Sequence, residues 1–230
     1  MMIRCCHYVH SSSLTTNVVG VAGCDDGGMA TIRERVLAAA IDLVGARGVR
    51  SLTHVRVDAA AGLPKGSTSN HFRTRAALIA GVIDAIATAE RDELAAGPGA
   101  AAASGGTPGQ GAASGRPPRS ASDPISAVVD AMAAALIDLT GPHAVRTRAR
   151  LALFIELAAE PELRAPLEAQ RHEYEVFTRG LLASLGADDP DAAVRTLMAA
   201  LDGLILHRVT VDPDAPVHPT IDRVLRACLD

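Results

Sequence analysis

The chain has 230 residues, which is enough for one medium-sized domain or two small ones. Hydrophobic residues make up 48% of it but aromatic residues only 2%, with no Trp, so a large core has to be built from Leu, Val, Ile and Ala. This composition favours helices, and no segment alternates apolar and polar residues for long enough to indicate a strand. We therefore predict an all-α protein.

The formal net charge of −4 conceals an asymmetry along the chain. Residues 31–80 carry eight basic and three acidic side chains, whereas residues 123–230 carry ten basic and seventeen acidic ones. A basic N-terminal part is typical of contact with phosphate. No apolar run is long enough to span a membrane, and residues 1–28 lack the apolar core of a secretory signal.

The N-terminal residues 1–28 have no helical period, and two interpretations stay open for them. They form a disordered extension, or translation begins at Met29 and the segment is a start-site artefact. Four residues in it resemble metal ligands, but their spacing matches no standard zinc pattern, so we predict no metal. They are Cys5, Cys6, His7 and His10. Together with Cys24 and Cys228 the cysteines form no even framework, and we expect a reduced, cytoplasmic protein.

Two helices with clear capping signals are predicted after this segment. The first begins at Thr31, where Glu34 completes a capping box, and it ends at Gly48. The second begins at Thr53, and Gly62 then supplies a turn position where a positive φ costs little.

The third predicted helix, residues 64–71, is unusually polar. Pro64 suits its first position, and residues 65–71 contain no large apolar side chain. Such a helix is unstable alone, and we expect Leu63 and Phe72 to anchor it. A polar helix held outward after a tight Gly-containing turn is typical of a helix-turn-helix that enters the major groove of DNA.

Further helices are predicted on both sides of residues 97–122, a stretch of Gly, Ala, Pro and Ser that we interpret as a flexible insertion. The fourth helix begins after Thr74 and ends near residue 94. Apolar stripes and Pro, Asp and Gly boundaries then predict five more, at about 123–140, 142–159, 162–185, 189–209 and 219–229.

Taken together, these segments resemble the tetracycline-repressor (TetR) family of bacterial regulators. The resemblance covers about fifty residues, and Leu201–Leu204 adds a weaker signal. The chain departs from the family at Thr68 and Ser69, where many members have an apolar residue and a Tyr, and at Ala76 and Ala77, where many have an acidic residue. The matching segments are the first-helix end at Gly48, Leu52–Thr53, Ala60–Ser67, His71–Phe72, Thr74–Arg75 and Leu78.

The resemblance implies a helix-turn-helix DNA-binding domain at residues 29–80 and a helical ligand-binding and dimerisation domain at residues 81–230. It implies a homodimer on a near-palindromic operator, with half-sites roughly 34–36 Å apart or at a multiple of that distance. Base-edge or groove contacts are predicted for Lys65, Thr68, Asn70 and His71, and phosphate contacts for Thr53, Ser67, Ser69 and Arg73.

For the C-terminal part, the resemblance implies a mostly apolar pocket for a small hydrophobic effector, whose binding releases the operator. No cofactor is expected. The predicted pocket residues are Met132, Phe154, Glu156, Tyr174 and Phe177. The last two helices are expected to form a four-helix interface with their copies through Leu197, Leu201, Leu204 and Ile205.

Two other classes of protein are alternatives to this interpretation. A helical enzyme is disfavoured because the sequence has no nucleophile elbow, zinc-protease motif or phosphate loop, and the C-terminal histidines are scattered. A ligand-independent, architectural DNA-binding protein is the closer alternative. A large closed cavity in the helical part favours a sensor, and a solid core favours the alternative. The scattered histidines are His143, His172, His207 and His218.

Overall fold

The computed structural model describes residues 30–96 and 123–229, and these residues form helices and turns without any strand. The predicted extension at residues 1–28, Met29 and the predicted insertion at residues 97–122 lie outside this described part. Its α-helices are α1 (Ile32–Arg47), α2 (His54–Ala60), α3 (Ser67–His71), α4 (Arg75–Ala96), α5 (Pro124–Thr140), α6 (Ala144–Glu156), α7 (Pro161–Ser184), α8 (Pro190–Thr210) and α9 (His218–Ala227).

Within the described ranges, no single helix is long and apolar enough to cross a membrane. Only α5 and α6 taken together reach the required length and hydropathy, and they meet at an angle of 83°.

The predicted start signals of the first two helices are confirmed. The Thr31 hydroxyl accepts from the Glu34 N–H at 3.2 Å, and Glu34 Oε2 accepts from the Thr31 N–H at 2.8 Å, which completes the capping box. The Thr53 side chain accepts from the Arg56 N–H at the start of α2. Gly62 adopts φ +62°, as a tight turn after α2 requires.

The third helix begins later than predicted, at Ser67 rather than at Pro64. Gly66 occupies the left-handed region at φ +93° and interrupts any helix that starts at the proline. The expected anchors are in place, because Phe72 is buried and Leu63 packs half-buried against the same core. A helix of five residues nevertheless has too few internal hydrogen bonds to persist by itself.

The carboxylate of Asp58, on α2, holds the first turn of α3. Its Oδ1 accepts from the N–H of Thr68 at 2.7 Å and from the hydroxyl of the same residue at 2.6 Å. Its Oδ2 accepts from the Gly66 N–H at 2.8 Å. Asp58 and Thr68 are both buried, so these bonds form away from water, where a charged acceptor binds its donors strongly.

These hydrogen bonds also set the protonation of Asp58. Burial raises the pKa of its carboxyl, but the hydrogen bonds from Thr68 and Gly66 outweigh burial and hold the pKa below its ordinary value of 3.8. The group is therefore a carboxylate at neutral pH and acts only as an acceptor.

Two clusters of buried apolar residues form the core. The first joins α1 and α4 to α6 and the start of α7, around residues such as Leu52 and Leu153. The second joins α5, α8 and α9 to the end of α7, around Leu182 and Ile221. The helix-turn-helix thus shares a core with the helical body. The predicted domain boundary at residue 80 falls inside α4, and it stays a prediction.

The helix-turn-helix meets the helical body where α1 crosses α6. A Cβ atom built at Gly45 would overlap the carbonyl oxygen of Val145, so only glycine permits this contact. Arg148 adds a hydrogen bond across the same crossing, from Nε to the carbonyl oxygen of Gly45 at 3.3 Å. The position of the helix-turn-helix is therefore tied to α6.

Replacing Asp58 with Asn should destabilise the protein by roughly 2–3 kcal/mol, because one amide oxygen cannot replace two carboxylate oxygens and the amide N–H₂ faces a donor. Since the pKa of Asp58 is lowered, the wild-type advantage should be complete above pH 3.8 and shrink as the pH falls through the lowered pKa. Urea unfolding at several pH values measures both effects. Asp84→Asn, an exposed change on α4, is the matched control. Equal stability of the Asp58 variant and wild type at pH 7 would refute this role.

Candidate functional site

The outward face of α3 is polar and exposed. Thr68 points into the protein, and an advance of about 100° per residue therefore places Ser69 and Asn70 on the opposite side of the helix. His71 and, in the preceding turn, Lys65 are exposed as well. This surface presents amide, hydroxyl, imidazole and ammonium groups, which are the groups that bind base edges and phosphates.

The prediction that Thr68 contacts a base is wrong. Its side chain has no exposed surface, and its hydroxyl proton is donated to Asp58. Residue 68 faces the core of the protein. Many members of the family that this chain resembles have an apolar residue at this position. Sequence analysis missed Asp58, although its place three residues before the inward-facing Ala61 was a usable signal.

The predicted phosphate contacts differ in how far their polar groups are already used. Arg73 is exposed. Thr53 is exposed and uses its hydroxyl oxygen to cap α2, so its proton is available for donation. Ser67 is half-buried and donates to the carbonyl oxygen of Pro64 at 2.8 Å, which leaves only its oxygen as an acceptor. These assignments stay predictions, and the case for Ser67 as a donor to phosphate is weakened.

The basic side chains of the N-terminal part are all exposed, but several are engaged within the protein. Arg35 donates to the carbonyl oxygen of Ala61 at 2.9 Å, and Arg75 donates to that of Val49 at 3.0 Å. Arg33 stacks over the Phe72 ring. The local excess of positive charge therefore serves partly to hold the helix-turn-helix together. Arg50 lies 3.8 Å from the Glu156 carboxylate. The other basic side chains of this N-terminal part have no such contact with the described residues, and they are Arg47, Arg56, Lys65 and Arg73.

The five predicted pocket residues do not line one pocket. Met132 packs against the second core cluster, whereas Phe154 packs against the first. Glu156 lies at the surface, where its carboxylate is 3.8 Å from Arg50, and Phe177 is 39% exposed. Helical spacing alone could not show which stripe of each helix faces which neighbour.

Tyr174 and Phe154 instead border a buried polar cluster that the sequence analysis missed. Glu90, on α4, is 4% exposed and accepts from Nε2 of Gln170, on α7, at 2.8 Å. Nε of Arg150, on α6, lies 3.3 Å from the same carboxylate oxygen. The guanidinium of Arg150 stacks over Phe154, and the Tyr174 hydroxyl donates to the Glu90 carbonyl oxygen at 3.3 Å.

The position of Glu90 carried a signal for this burial. It continues the apolar stripe of α4 at a spacing of four residues from the buried Ile86. Burial raises the pKa of Glu90, and the positive charge of Arg150 and the Gln170 hydrogen bond oppose that rise. Burial and the negative charge of Glu90 raise the pKa of the Tyr174 hydroxyl. The cluster is therefore a set of costly buried charges that compensate one another.

The best-formed depressions among the described residues are two open surface grooves rather than closed cavities. One, of about 320 Å³, lies between the 3-10 turn at Val49–Ser51 and α6, and Glu156 is on its wall. The other, of about 240 Å³, lies between the start of α8 and the end of α9. Within the described ranges, no group of three His, Cys, Asp or Glu side chains is placed to hold a metal ion.

The predicted dimer residues are less exposed than expected. Leu197 has no exposed surface and belongs to the core of its own chain, so its assignment to a subunit interface is wrong. Leu201, Leu204 and Ile205 are half-buried against the same core. The exposed apolar residues nearby lie on α7 and α8 instead, and they are Val176, Phe177 and Leu206.

Comparison with known proteins places the chain among helical regulators. Residues 123–230 match the family model of the tetracyclin repressor-like C-terminal domain. A solved TetR-family structure from Streptomyces coelicolor is 25% identical, with a TM-score of 0.60 over 87% of this chain and 99% of that chain. The multidrug binding protein EbrR, solved with imidazole, is 26% identical, with a TM-score of 0.55 over 86% and 89% of the two chains. No curated protein matches the chain.

A transcriptional regulator from Rhodococcus sp. Rha1 has the same fold, with 21% identity and a TM-score of 0.64 over 86% of this chain and 96% of that chain. The family model covers the helical body, and the structural matches extend over the helix-turn-helix. The helical body at residues 123–230 therefore belongs to the tetracyclin repressor-like C-terminal domain family, and the chain is similar to a TetR-family protein over the helix-turn-helix as well.

Proposed function

We propose that this protein is a repressor that binds a near-palindromic operator as a homodimer and leaves it when a small hydrophobic molecule binds the helical body. The observation that carries this proposal is the outward face of α3, where Asn70 and its polar neighbours stand on a helix fixed by the buried Asp58. Base reading requires such a fixed helix, because hydrogen bonds to base edges depend on exact placement.

The ligand-dependent part is supported by the relatives and by the helical body. EbrR, which is 25–26% identical to this chain, has been solved with imidazole, ethidium and malachite green. In this chain, the polar cluster around Glu90 lies between α4, α6 and α7, and α6 also contacts α1 at Gly45. A ligand that alters the packing of α6 therefore acts on an element in direct contact with the helix-turn-helix.

A homodimer is supported by the apolar surface of α7 and α8. Leu206 is 46% exposed and Val176 is 50% exposed, on neighbouring helices that pack together. Gly180 and Gly203 have open space at their Cβ positions, so the backbones of a second copy can approach closely there. We assign this surface to the same two helices of a second subunit, as a four-helix interface.

The ligand-independent DNA-binding protein remains the second candidate because the best-formed depressions in the described part are open grooves. A compound that raises the melting temperature and releases operator DNA decides for the ligand-controlled repressor. If the protein binds its operator tightly and a broad screen finds no such compound, the result decides for the ligand-independent protein.

Selection of bound sites from random duplex DNA tests the DNA-binding proposal directly. We expect an enriched sequence with two symmetric half-sites, roughly 34–36 Å apart or at a multiple of that distance. Failure to enrich any sequence at moderate salt would contradict the proposal.

Asn70→Ala should reduce affinity for the selected operator tenfold or more, corresponding to about 1–3 kcal/mol of base discrimination, while binding to random DNA is retained. Arg73→Ala should instead weaken binding to all sequences and lower the salt dependence by about one phosphate contact. Arg223→Ala, an exposed arginine on α9, is the matched control. Titrations at several salt concentrations separate these effects, and an unchanged preference in the Asn70 variant would remove it from the reading surface.

Leu206→Glu should raise the dimer dissociation constant at least about tenfold, because a carboxylate in an apolar interface loses its hydration without gaining a partner. Operator affinity should fall with it, since one subunit contacts one half-site. Ile137→Glu, on α5, is a matched control because Ile137 is 49% exposed. Analytical ultracentrifugation measures the assembly. Dissociation by both variants alike, or by neither, would place the interface elsewhere.

A further inference from the structure

The polar cluster around Glu90 contains hydrogen-bonding groups that the protein leaves unmatched. Gln170 is 1% exposed, and its Oε1 has no hydrogen-bond partner among the described residues. The N–H at Nε of Arg150 also lacks a well-aligned acceptor there, although its nitrogen lies 3.3 Å from Glu90 Oε2. An unmatched acceptor and an unmatched donor therefore belong to side chains that both contact Glu90. Such groups are rare in protein interiors because each loses its hydration without gaining a hydrogen-bond partner.

The formal charges of this region balance. Arg150 faces Glu90, and Arg146 forms a two-point ion pair with Glu93 on the same side of α4, with Nη1 to Oε1 at 2.7 Å. Two positive and two negative groups leave no net charge for a ligand to neutralise. A charged molecule entering this buried place would lose its hydration without meeting an uncompensated counter-charge.

Two half-buried aromatic rings add an apolar side to the cluster. The Phe154 ring lies under the Arg150 guanidinium, with 5.2 Å between the guanidinium carbon and the ring centroid. Tyr174 contacts Glu90 through its hydroxyl. A planar ring with an attached polar group matches both the rings and the unmatched atoms.

We infer that this cluster is the polar end of the effector site and that it selects a neutral aromatic carboxamide or lactam. Such a group places an N–H donor and a C=O acceptor side by side, to meet Gln170 Oε1 and the Arg150 N–H. The inference rests on the proposed ligand-binding function and specifies its chemistry. It distinguishes this chain from a receptor for organic cations.

Three probes of equal shape and different charge test it, namely benzamide, benzamidinium and benzoate. Ligand-observed NMR titration and thermal shift on the full-length protein without DNA measure binding. We expect benzamide to bind at least about tenfold more tightly than either ion. Equal or tighter binding of an ion, or no saturable binding of benzamide, would overturn the inference.

Variants at Gln170 locate the binding. Gln170→Met keeps the length of the side chain and should abolish the benzamide response. Gln170→Glu adds a negative charge and should reverse the preference toward benzamidinium. Thr178→Val, at another buried polar residue of α7, should leave benzamide binding unchanged. Benzamide binding that survives Gln170→Met in a folded variant would also overturn the inference.

Operator titrations with the same samples separate this inference from the proposed function. Benzamide that binds through Gln170 without releasing the operator contradicts ligand-controlled repression and leaves the site assignment standing. Release by another compound that is unaffected by Gln170→Met supports the repressor and refutes the site.

Discussion

The hydrogen bonds from Gly66 and Thr68 to the buried carboxylate of Asp58 are the interaction on which the outward polar face of α3 depends. A five-residue helix without a large apolar side chain has little stability of its own. Besides the flanking anchors Leu63 and Phe72, the carboxylate holds α3 by accepting hydrogen bonds from two backbone amides and one hydroxyl at its start. Because these bonds lie on the inner side, the polar side chains on the outer side stay exposed.

The crossing of α1 and α6 joins this surface to the rest of the molecule. Gly45 allows the two backbones to meet, and Arg148 bonds across the crossing. The same α6 helix carries Arg146 and Arg150 to the glutamates of α4. A ligand changes DNA affinity only by favouring one of two arrangements, and α6 contacts both the polar cluster and the helix-turn-helix.

Charge has different uses in the two parts of the chain. In the helix-turn-helix, some arginines hold turns together through backbone carbonyls, and others are exposed without such a bond. In the helical body, Glu90 and Glu93 of α4 are paired with Arg150 and Arg146 of α6, and the burial of Glu90 is tolerated because it faces an opposite charge. The net charge of either part therefore overstates the charge that is available to a binding partner.

The sequence by itself determined the helical class, the capping box at Thr31, the turn at Gly62 and the polarity of α3, because these depend on spacing over a few residues. It also supported the family through a local motif. Only the tertiary structure decided that Thr68 faces Asp58, that Leu197 is core, and that Gln170 meets Glu90 across 80 positions of chain. Such contacts depend on how whole helices pack, and helical periodicity shows which residues share a face but not which neighbour covers it.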